Sequence, residues 1–216
     1  MRGAELLLSS FLKGDIMINV KEYSFYSIDS NYLKYLYSVD REVYYDPKYK
    51  IYTKPYVGII TGIKNHKYFI PLTSAKPKHK KWKNVSNEHF LIYEIIKKDI
   101  NDITVNNDIY KKGQKEGESL HVLSVLDIKK MIPLAENCYK KIDIENLEDE
   151  KFQLLLKREL AFCKEHKNKI LKRVKKFYNM QMESKTISFA SCNFKLLEKA
   201  MKEYKKEKEP AFEVEF

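Results

Sequence analysis

The chain of 216 residues carries 41 lysines and arginines against 30 aspartates and glutamates, a formal net charge of +11, with 16 tyrosines and 11 phenylalanines. This balance favours nucleic acid or an anionic membrane surface as partner, and aromatic rings suit base stacking, although tyrosines also fill ordinary core and strand positions. Three cysteines without a CxxC spacing argue against a disulfide framework or zinc site and fit a reducing cytoplasm, and no apolar run approaches the roughly 18 residues of a transmembrane helix.

The N-terminal part of the sequence predicts an extension, a strand, a helix and a loop. Residues 1–20 are expected to form a loosely ordered extension of a single domain over residues 21–216. Alternating aromatic residues from Tyr23 to Ile28 predict a strand, and a helix is expected from Asn31 to Tyr37. The next stretch, Val39 to Lys54, is rich in tyrosine, aspartate and lysine, which is typical of an exposed loop.

A β-hairpin is predicted next. Tyr56 to Ile63 and Lys67 to Leu72 are rich in β-branched and aromatic residues, and Lys64 to His66 suits a hairpin turn between them. Gly58 and Gly62 lie on one face of the first strand, where glycines often mark the close approach of a backbone or a ligand. The end of the second strand should therefore return to the start of the first.

The remaining sequence predicts further strands and then a helical C-terminal third. His89 to Ile96 and His121 to Asp127 have strand character, whereas Lys111 to Ser119 has the glycine and charge content of a loop. From Glu148 to Met182 apolar residues recur at helical spacing, with a break expected near Glu165 to Lys169. This order predicts an α+β domain with helices laid against an antiparallel sheet.

Two hydroxyls and a lysine, Thr73, Ser74 and Lys76, stand where the second hairpin strand meets a basic segment broken by prolines. Hydroxyls donate hydrogen bonds to phosphate oxygens, and a lysine neutralises their charge. The hairpin should bring Lys54, with the nearby Tyr52, to the same edge, where paired ammonium groups would stabilise the added charge of a phosphoryl transition state. The same residues would also fit a solvated loop closed by an ST-turn.

Two basic surfaces are candidates for holding a nucleic-acid backbone. The first comprises Lys78, His79, Lys80, Lys81, Trp82 and Lys83. The second is a stripe on the C-terminal helical region, where Lys164, Lys172, Lys175 and Lys176 fall on one side. The candidate RNA contacts in this stripe are Lys172, Lys175 and Lys176. Both patterns also fit ordinary solvated faces. The sequence has no HxH, HExxH or acidic cluster to support a metal-dependent nuclease, so we expect no metal or other cofactor.

Four strings occur in the order found in one known family. They are KPYVG at Lys54–Gly58, PLTSAKPKH at Pro71–His79, and the segments Asp127–Pro133 and Ser191–Glu198. Together they resemble the ToxN/AbiQ toxins of type III toxin–antitoxin and phage abortive-infection systems, over roughly Tyr23 to Lys199. The first two strings carry most of this resemblance.

The resemblance implies a compact, barrel-like antiparallel sheet with packed helices, similar to MazF and Kid. It also implies a sequence-selective endoribonuclease toxin that cuts RNA without metal and leaves a 2′,3′-cyclic phosphate and a 5′-hydroxyl. Such toxins process a tandem-repeat RNA antitoxin, remain bound to its pseudoknotted products in closed cyclic assemblies, and also cut target mRNA. The family's catalytic residues correspond here to Thr73, Ser74 and Lys76 and, upstream, to Lys54 and Tyr52.

Two other classes of function stay open from the sequence. A non-catalytic RNA-binding protein would use the same basic surfaces without cutting the RNA. A protein-directed toxin would use the related sheet fold, which also serves inhibitors of gyrase, because a fold alone does not define an activity.

Overall fold

Runs of β-branched and aromatic residues form an antiparallel sheet in the computed structural model, which describes residues 23–46, 57–103 and 108–204. The strands in these ranges are β1 (Phe25–Ile28), β2 (Val57–Ile63), β3 (His66–Ser74), β4 (His89–Ile96), β5 (Ile109–Lys112), β6 (Ser119–Asp127), β7 (Ile132–Pro133) and β8 (Tyr139–Lys141). The helices are α1 (Ser30–Val39), α2 (Glu150–Glu165), α3 (Lys167–Glu183) and α4 (Phe194–Glu203). The predicted extension over residues 1–20 lies outside the described residues.

The strands are ordered β4-β6-β3-β2-β1-β8, and each neighbouring pair is antiparallel. In addition, β7 pairs with the first half of β3, and β5 pairs with the first half of β6. The path is open, because β4 and β8 stand at its two ends and no pairing joins them in the described part of the chain. The predicted α+β fold with an antiparallel sheet is confirmed, whereas the barrel-like closure is not observed.

The predicted hairpin is formed by β2 and β3, with Lys64 at the turn in the left-handed region at φ 50°. Strand β3 runs further than its apolar pattern indicates and includes Thr73 and Ser74. Its last residues stay extended because they pair with β6, where Ser74 lies opposite Ser124. The hydroxyls therefore belong to the strand and not to the loop that follows it.

The C-terminal helices confirm the predicted helical region and its break, which occurs at His166. Ile170, Val174 and Phe177 are each at most 1% exposed, so the apolar stripe of α3 packs into the core. None of the helices in the described ranges is long and apolar enough to cross a membrane.

Helix α4 is tied to the first half of β3 by a carboxylate that accepts two hydrogen bonds. The Tyr68 hydroxyl donates to Glu198 Oε1 at 2.6 Å, and the Tyr178 hydroxyl donates to the same oxygen at 2.8 Å. Burial, followed by the charge of Glu198, raises the pKa of Tyr68, so this phenol remains a donor. The helix thus packs on one half of β3, and the hydroxyl pair Thr73 and Ser74 lies at the other end.

Two parts of the sequence pattern indicate the wrong local structure. The glycine and charge content of the segment from Lys111 predicts a loop. Lys111 nevertheless belongs to β5, because pairing with β6 outweighs the composition of that segment. The strands β7 and β8 were not predicted at all, since they contain only 2 and 3 residues. Strands this short carry too few positions for an alternating pattern to be recognised.

Candidate active site

The end of β3 places Thr73 and Ser74 at the rim of the sheet. Thr73 pairs with Val125 and Ser74 with Ser124, and Ser74 is exposed while Thr73 is half-buried. Val125 belongs to a small apolar cluster formed by β4, β5 and β6. Because side chains alternate along a strand, the two hydroxyls leave opposite faces, so only a ligand at the end of the strand can reach both.

Lys76 lies two residues after Ser74, and both its backbone N–H and its carbonyl oxygen are hydrogen-bonded. Its backbone is extended, with φ −133° and ψ 156°, which favours placing its side chain on the same side as that of Ser74. His79, in the short 3₁₀ helix Pro77–Lys81, accepts a hydrogen bond at Nδ1 from the Lys76 N–H at 2.9 Å. The His79 N–H in turn donates to the Lys76 carbonyl oxygen at 2.8 Å. The exposed ammonium therefore rises from a fixed position.

The imidazole of His79 does not fit the RNA contact expected from the sequence. The residue is 1% exposed, and its Nδ1 is already occupied by the Lys76 N–H. Burial, followed by the charges of Lys78, His89 and Lys76, lowers its pKa from 6.5 to about 4. The ring must be neutral for Nδ1 to accept a hydrogen bond from the Lys76 N–H, so the lowered pKa and the hydrogen bond agree. His79 supports the position of Lys76 from beneath the surface.

Trp82 is half-buried and packs between two histidines. Its ring centroid lies 4.5 Å from that of His79 and 4.4 Å from that of His89, and the Lys78 ammonium is 5.3 Å from its centroid. From β5, the Lys111 ammonium donates to the Trp82 carbonyl oxygen, and burial lowers the pKa of this lysine. Much of the indole surface is thus used to anchor the basic segment to the sheet.

The loop after Trp82 is fastened by His89, whose two ring nitrogens are both engaged. Nδ1 lies 2.9 Å from Ser86 Oγ, and Nε2 lies 2.9 Å from the Lys83 carbonyl oxygen. Opposite His89 in the β4–β6 register is Asp127, which accepts a hydrogen bond from the Tyr44 hydroxyl at 2.6 Å. Burial raises the pKa of Asp127. These groups brace the site from below and present no proton carrier at its surface.

The elements that carry the two predicted basic surfaces are joined by a hydrogen bond between neighbouring residues. The exposed lysines of the first are Lys78, Lys80, Lys81 and Lys83, and those of the second are Lys172, Lys175 and Lys176. Arg173 of α3 donates from Nη1 to Asn87 Oδ1 at 3.0 Å, which joins the helix to the loop that follows Lys83. This contact fixes the helix that carries the second surface against the loop next to the first.

Two of the predicted catalytic residues, Lys54 and Tyr52, lie outside the described residues. Within the three described ranges, no group of histidine, cysteine, aspartate and glutamate side chains is arranged to hold a metal ion. The described rim combines an exposed hydroxyl, Ser74, with an exposed ammonium, Lys76. Such a pair can bind a phosphate, because the hydroxyl donates to its oxygens and the ammonium neutralises its charge.

The match to a known family spans nearly the whole described chain. The family described as toxin ToxN, type III toxin–antitoxin system, matches residues 24–202. The chain belongs to the ToxN toxin family. The resemblance predicted from the four sequence strings is therefore confirmed. The matched range includes the end of β3, the Pro77–Lys81 turn and the four helices, apart from the last residue of α4.

Two similar proteins are each called Endoribonuclease ToxN. The protein from Pectobacterium atrosepticum is 30% identical over 193 residues, which cover 88% of this chain and 99% of the relative. The protein from Bacillus thuringiensis subsp. kurstaki is 27% identical over 198 residues, which cover 88% of each chain. A solved structure from a bacterial antiviral system regulated by a processed non-coding RNA has a TM-score of 0.63 and 27% identity, covering 85% of this chain and 99% of the other. The similarity to this ToxN-family protein thus extends over at least 88% of each relative.

Three contributors to the site are missing from the sequence-based prediction. The sequence predicts a loop at Lys111, and the β5–β6 pairing is what brings this residue to Trp82. Ser124 is 3% exposed, lies opposite Ser74 and has an Oγ without a hydrogen-bond partner among the described residues. Arg173 is adjacent in sequence to the predicted stripe, and its position beside Lys172 is the one local signal that could have identified it.

Proposed function

We propose that this ToxN-family protein is an endoribonuclease toxin whose RNA substrate supplies its own nucleophile. The observation that carries the proposal is the pair Ser74 and Lys76, exposed at the end of β3, with the Lys76 backbone held by His79. The extent of the similarity to two relatives called Endoribonuclease ToxN supports the same activity. The sheet is the rigid element that such a site requires, because a small displacement of positioned groups costs a large factor in rate.

The proposed reaction is a transesterification within the RNA backbone. The ribose 2′-oxygen bonds to the adjacent phosphorus while the bond from phosphorus to the 5′-oxygen breaks, giving a 2′,3′-cyclic phosphate and a 5′-hydroxyl. The 2′-hydroxyl loses a proton and the departing 5′-oxygen gains one, so the site must move protons and neutralise the phosphorane. Lys76 and Lys54 supply charge and proton transfer, while Thr73, Ser74 and Tyr52 orient the phosphate and ribose. This chemistry makes no demand for a metal ion.

We propose that the two basic surfaces bind the RNA partners. Lys78, Lys80, Lys81, Trp82 and Lys83 hold the strand that enters the site, and Lys172, Lys175 and Lys176 hold its continuation. The partners are target mRNA and a repeat RNA antitoxin. The toxin processes the antitoxin, and the processed antitoxin then inhibits the toxin in a cyclic protein–RNA assembly. The system serves in defence against phage. The similar antiviral system regulated by a processed non-coding RNA supports this role.

Digestion of RNA in the presence of EDTA tests the proposal. The wild type should release fragments ending in 2′,3′-cyclic phosphate, identified by mass spectrometry. EDTA should not stop this reaction, because lysine neutralises the charge on the phosphorane. Ser74→Ala and Lys76→Ala should each lower the cleavage rate by about 100-fold or more, as expected for loss of one group that stabilises a transition state. Lys202→Ala, which removes an exposed lysine from α4, should leave the rate unchanged.

Other outcomes would select a different function. If both Ser74→Ala and Lys76→Ala cleave at the wild-type rate, the site assignment is wrong. If the wild type binds RNA but does not cut it, the protein is a non-catalytic RNA-binding protein. If toxicity persists in variants that have lost RNA affinity, the target is a protein.

A further inference from the structure

A polar pocket lies between the end of α3 and the start of α4, away from the proposed catalytic residues. Its volume is about 130 Å³, and residues that line it include Gln181, Ser184, Lys185, Thr186, Phe194 and Lys195. Two of its lining residues are lysines and none is a carboxylate, so the pocket is suited to a negatively charged group. The pocket shares no lining residue with the end of β3.

One wall of the pocket contains a buried amide that lacks a partner for its nitrogen. Gln181 is 7% exposed, and its Oε1 accepts a hydrogen bond from the Ser188 N–H at 3.5 Å. Its Nε2 has no hydrogen-bond partner among the described residues. An unpaired buried amide is unfavourable, and a phosphate or base oxygen entering the pocket would provide the missing acceptor.

The segment that closes the pocket projects an aromatic ring into solvent. Phe189 is 94% exposed and Ile187 is 51% exposed, although both lie between helices that are packed on the core. Ala190, which follows, has a φ of 53°, in the left-handed region that L-residues other than glycine seldom adopt. A phenylalanine this exposed contributes nothing to the core. It follows Lys185 by four residues in the segment between the two helices, and a phenyl ring together with lysines is the combination that single-stranded nucleic acids bind, through stacking and phosphate contact.

We propose that the pocket and Phe189 form a second nucleotide-binding site, which takes one phosphate on Lys185 and Lys195 and stacks the attached base on Phe189. The ligand class is single-stranded RNA, so this inference rests on the proposed function. Lys195 already donates to the Ser184 carbonyl oxygen at 3.3 Å, which keeps its ammonium beside another residue that lines the pocket. The Ser184 and Thr186 hydroxyls, 3.4 Å apart, add further donors.

The location of this site suits a strand that also occupies the catalytic end of β3. The Phe194 ring, in the pocket wall, lies 5.8 Å between centroids from Tyr68 of β3. Tyr68 precedes Ser74 by six residues, which is about 20 Å of extended strand. From the other direction, Lys176 precedes Ser184 by eight residues, which is about 12 Å along a helix. The lysine stripe of α3 therefore leads toward the pocket, and an RNA of several nucleotides can contact both sites.

Binding of a fluorescein-labelled, 2′-O-methyl RNA of about 20 nucleotides, longer than a typical single site, tests the inference by anisotropy. The 2′-O-methyl groups prevent cleavage by the ribose hydroxyl. Phe189→Ala should weaken binding about tenfold, the effect of losing one stacked base. Phe189→Tyr should restore it, and Leu154→Ala, at an apolar residue of α2 that is 50% exposed, should have no effect.

The lysines have a separate readout that a purely structural role would not change. The double variant Lys185→Ala/Lys195→Ala should reduce the slope of log Kobs against log salt by about 0.7 to 1.4, for one or two lost contacts to a single strand. Circular dichroism should show the wild-type spectrum for every variant.

The outcomes separate this inference from the proposed function. If the wild type binds and cuts RNA while Phe189→Ala and the double-lysine variant bind like the wild type, the second site is wrong and the proposed function stands. If the wild type binds no RNA, both are wrong. If Phe189→Ala changes the oligomeric state in sedimentation without changing RNA affinity, the exposed ring belongs to a protein interface and the second site is overturned.

Discussion

The buried imidazole of His79 determines whether the Lys76 backbone stays in place. Its Nδ1 accepts the Lys76 N–H at 2.9 Å only while the ring is neutral, since a protonated ring carries hydrogen on both nitrogens. The neighbouring cations Lys78 and Lys76, together with burial, oppose that protonation. The same interactions that hold a catalytic lysine therefore make this corner of the molecule sensitive to acid.

Acid should destabilise the wild type through His79. Its pKa is lowered from 6.5 to about 4 on folding, so between these pH values the unfolded chain binds the proton more readily. The contribution of the neutral His79 ring to the unfolding free energy is therefore complete above pH 6.5 and is lost as the pH falls toward 4. Relative to His79→Asn, which does not titrate, the wild type should lose on the order of 1 to 2 kcal/mol of unfolding free energy across this range, after allowance for solvent screening. Urea unfolding of both proteins measures the difference, and parallel pH profiles would contradict it.

The β2–β3 hairpin depends on the absence of a side chain at Gly58. A Cβ at this position would lie 2.2 Å from the Ile70 carbonyl oxygen and 2.7 Å from the Phe69 ring. Neither the paired backbone nor the ring, which is 2% exposed, has room to move away. The glycine that the sequence indicates as a point of close approach thus allows the close contact between two strands.

Gly58→Ala should therefore loosen the strand that ends in Thr73 and Ser74. We expect a loss of about 1 to 3 kcal/mol of unfolding free energy, the usual effect of overpacking. Gly117→Asn is the matched control, because Gly117 has a φ of 72° that asparagine tolerates and no atom within 4 Å of a new Cβ. Chemical denaturation of both variants measures the difference, and equal stabilities would show that the hairpin accommodates the methyl group.

The elements that the sequence predicts well are those whose pattern is local. The hairpin, β4 and the break between α2 and α3 follow from runs of apolar residues and from turn composition. Strand β5 does not, because Lys111 and Lys112 are extended only through pairing with a strand that follows them in sequence. The open path of the sheet is likewise a property of distant pairings, which no single segment encodes.

The residues of the candidate site likewise include some that a local sequence pattern predicts and others that it does not. Thr73, Ser74 and Lys76 are adjacent in sequence, so a string of letters is enough to propose them. The support from His79 could not be predicted, because a histidine within a run of lysines has the composition of a solvated segment, yet it is 1% exposed. The pocket at the end of α3 was also missed, since its lining residues come from two helices and the segment between them.

Over the whole molecule, the net charge of +11 acts in two distinguishable ways. A general positive field attracts any polyanion and speeds its encounter, wherever the charges stand. Lysines that touch phosphates do more, because each contact releases counterions and steepens the dependence of affinity on salt. The hydrogen bond from Arg173 to Asn87 fixes α3 against the loop that follows the first basic surface, which favours direct contacts by the stripe.

The triple variant Lys172→Ala/Lys175→Ala/Lys176→Ala separates these two effects. It retains Arg173 and lowers the net charge of +11 by 3 units, to +8. The control Lys140→Ala/Lys199→Ala/Lys202→Ala removes the same charge from exposed positions on β8 and α4. For a single-stranded RNA, the stripe variant should reduce the slope of log Kobs against log salt by about 2, whereas the control should leave it close to that of the wild type. Equal slopes in the two variants would mean that the stripe contributes only to the general field, and that the RNA leaves the catalytic end of β3 by another route.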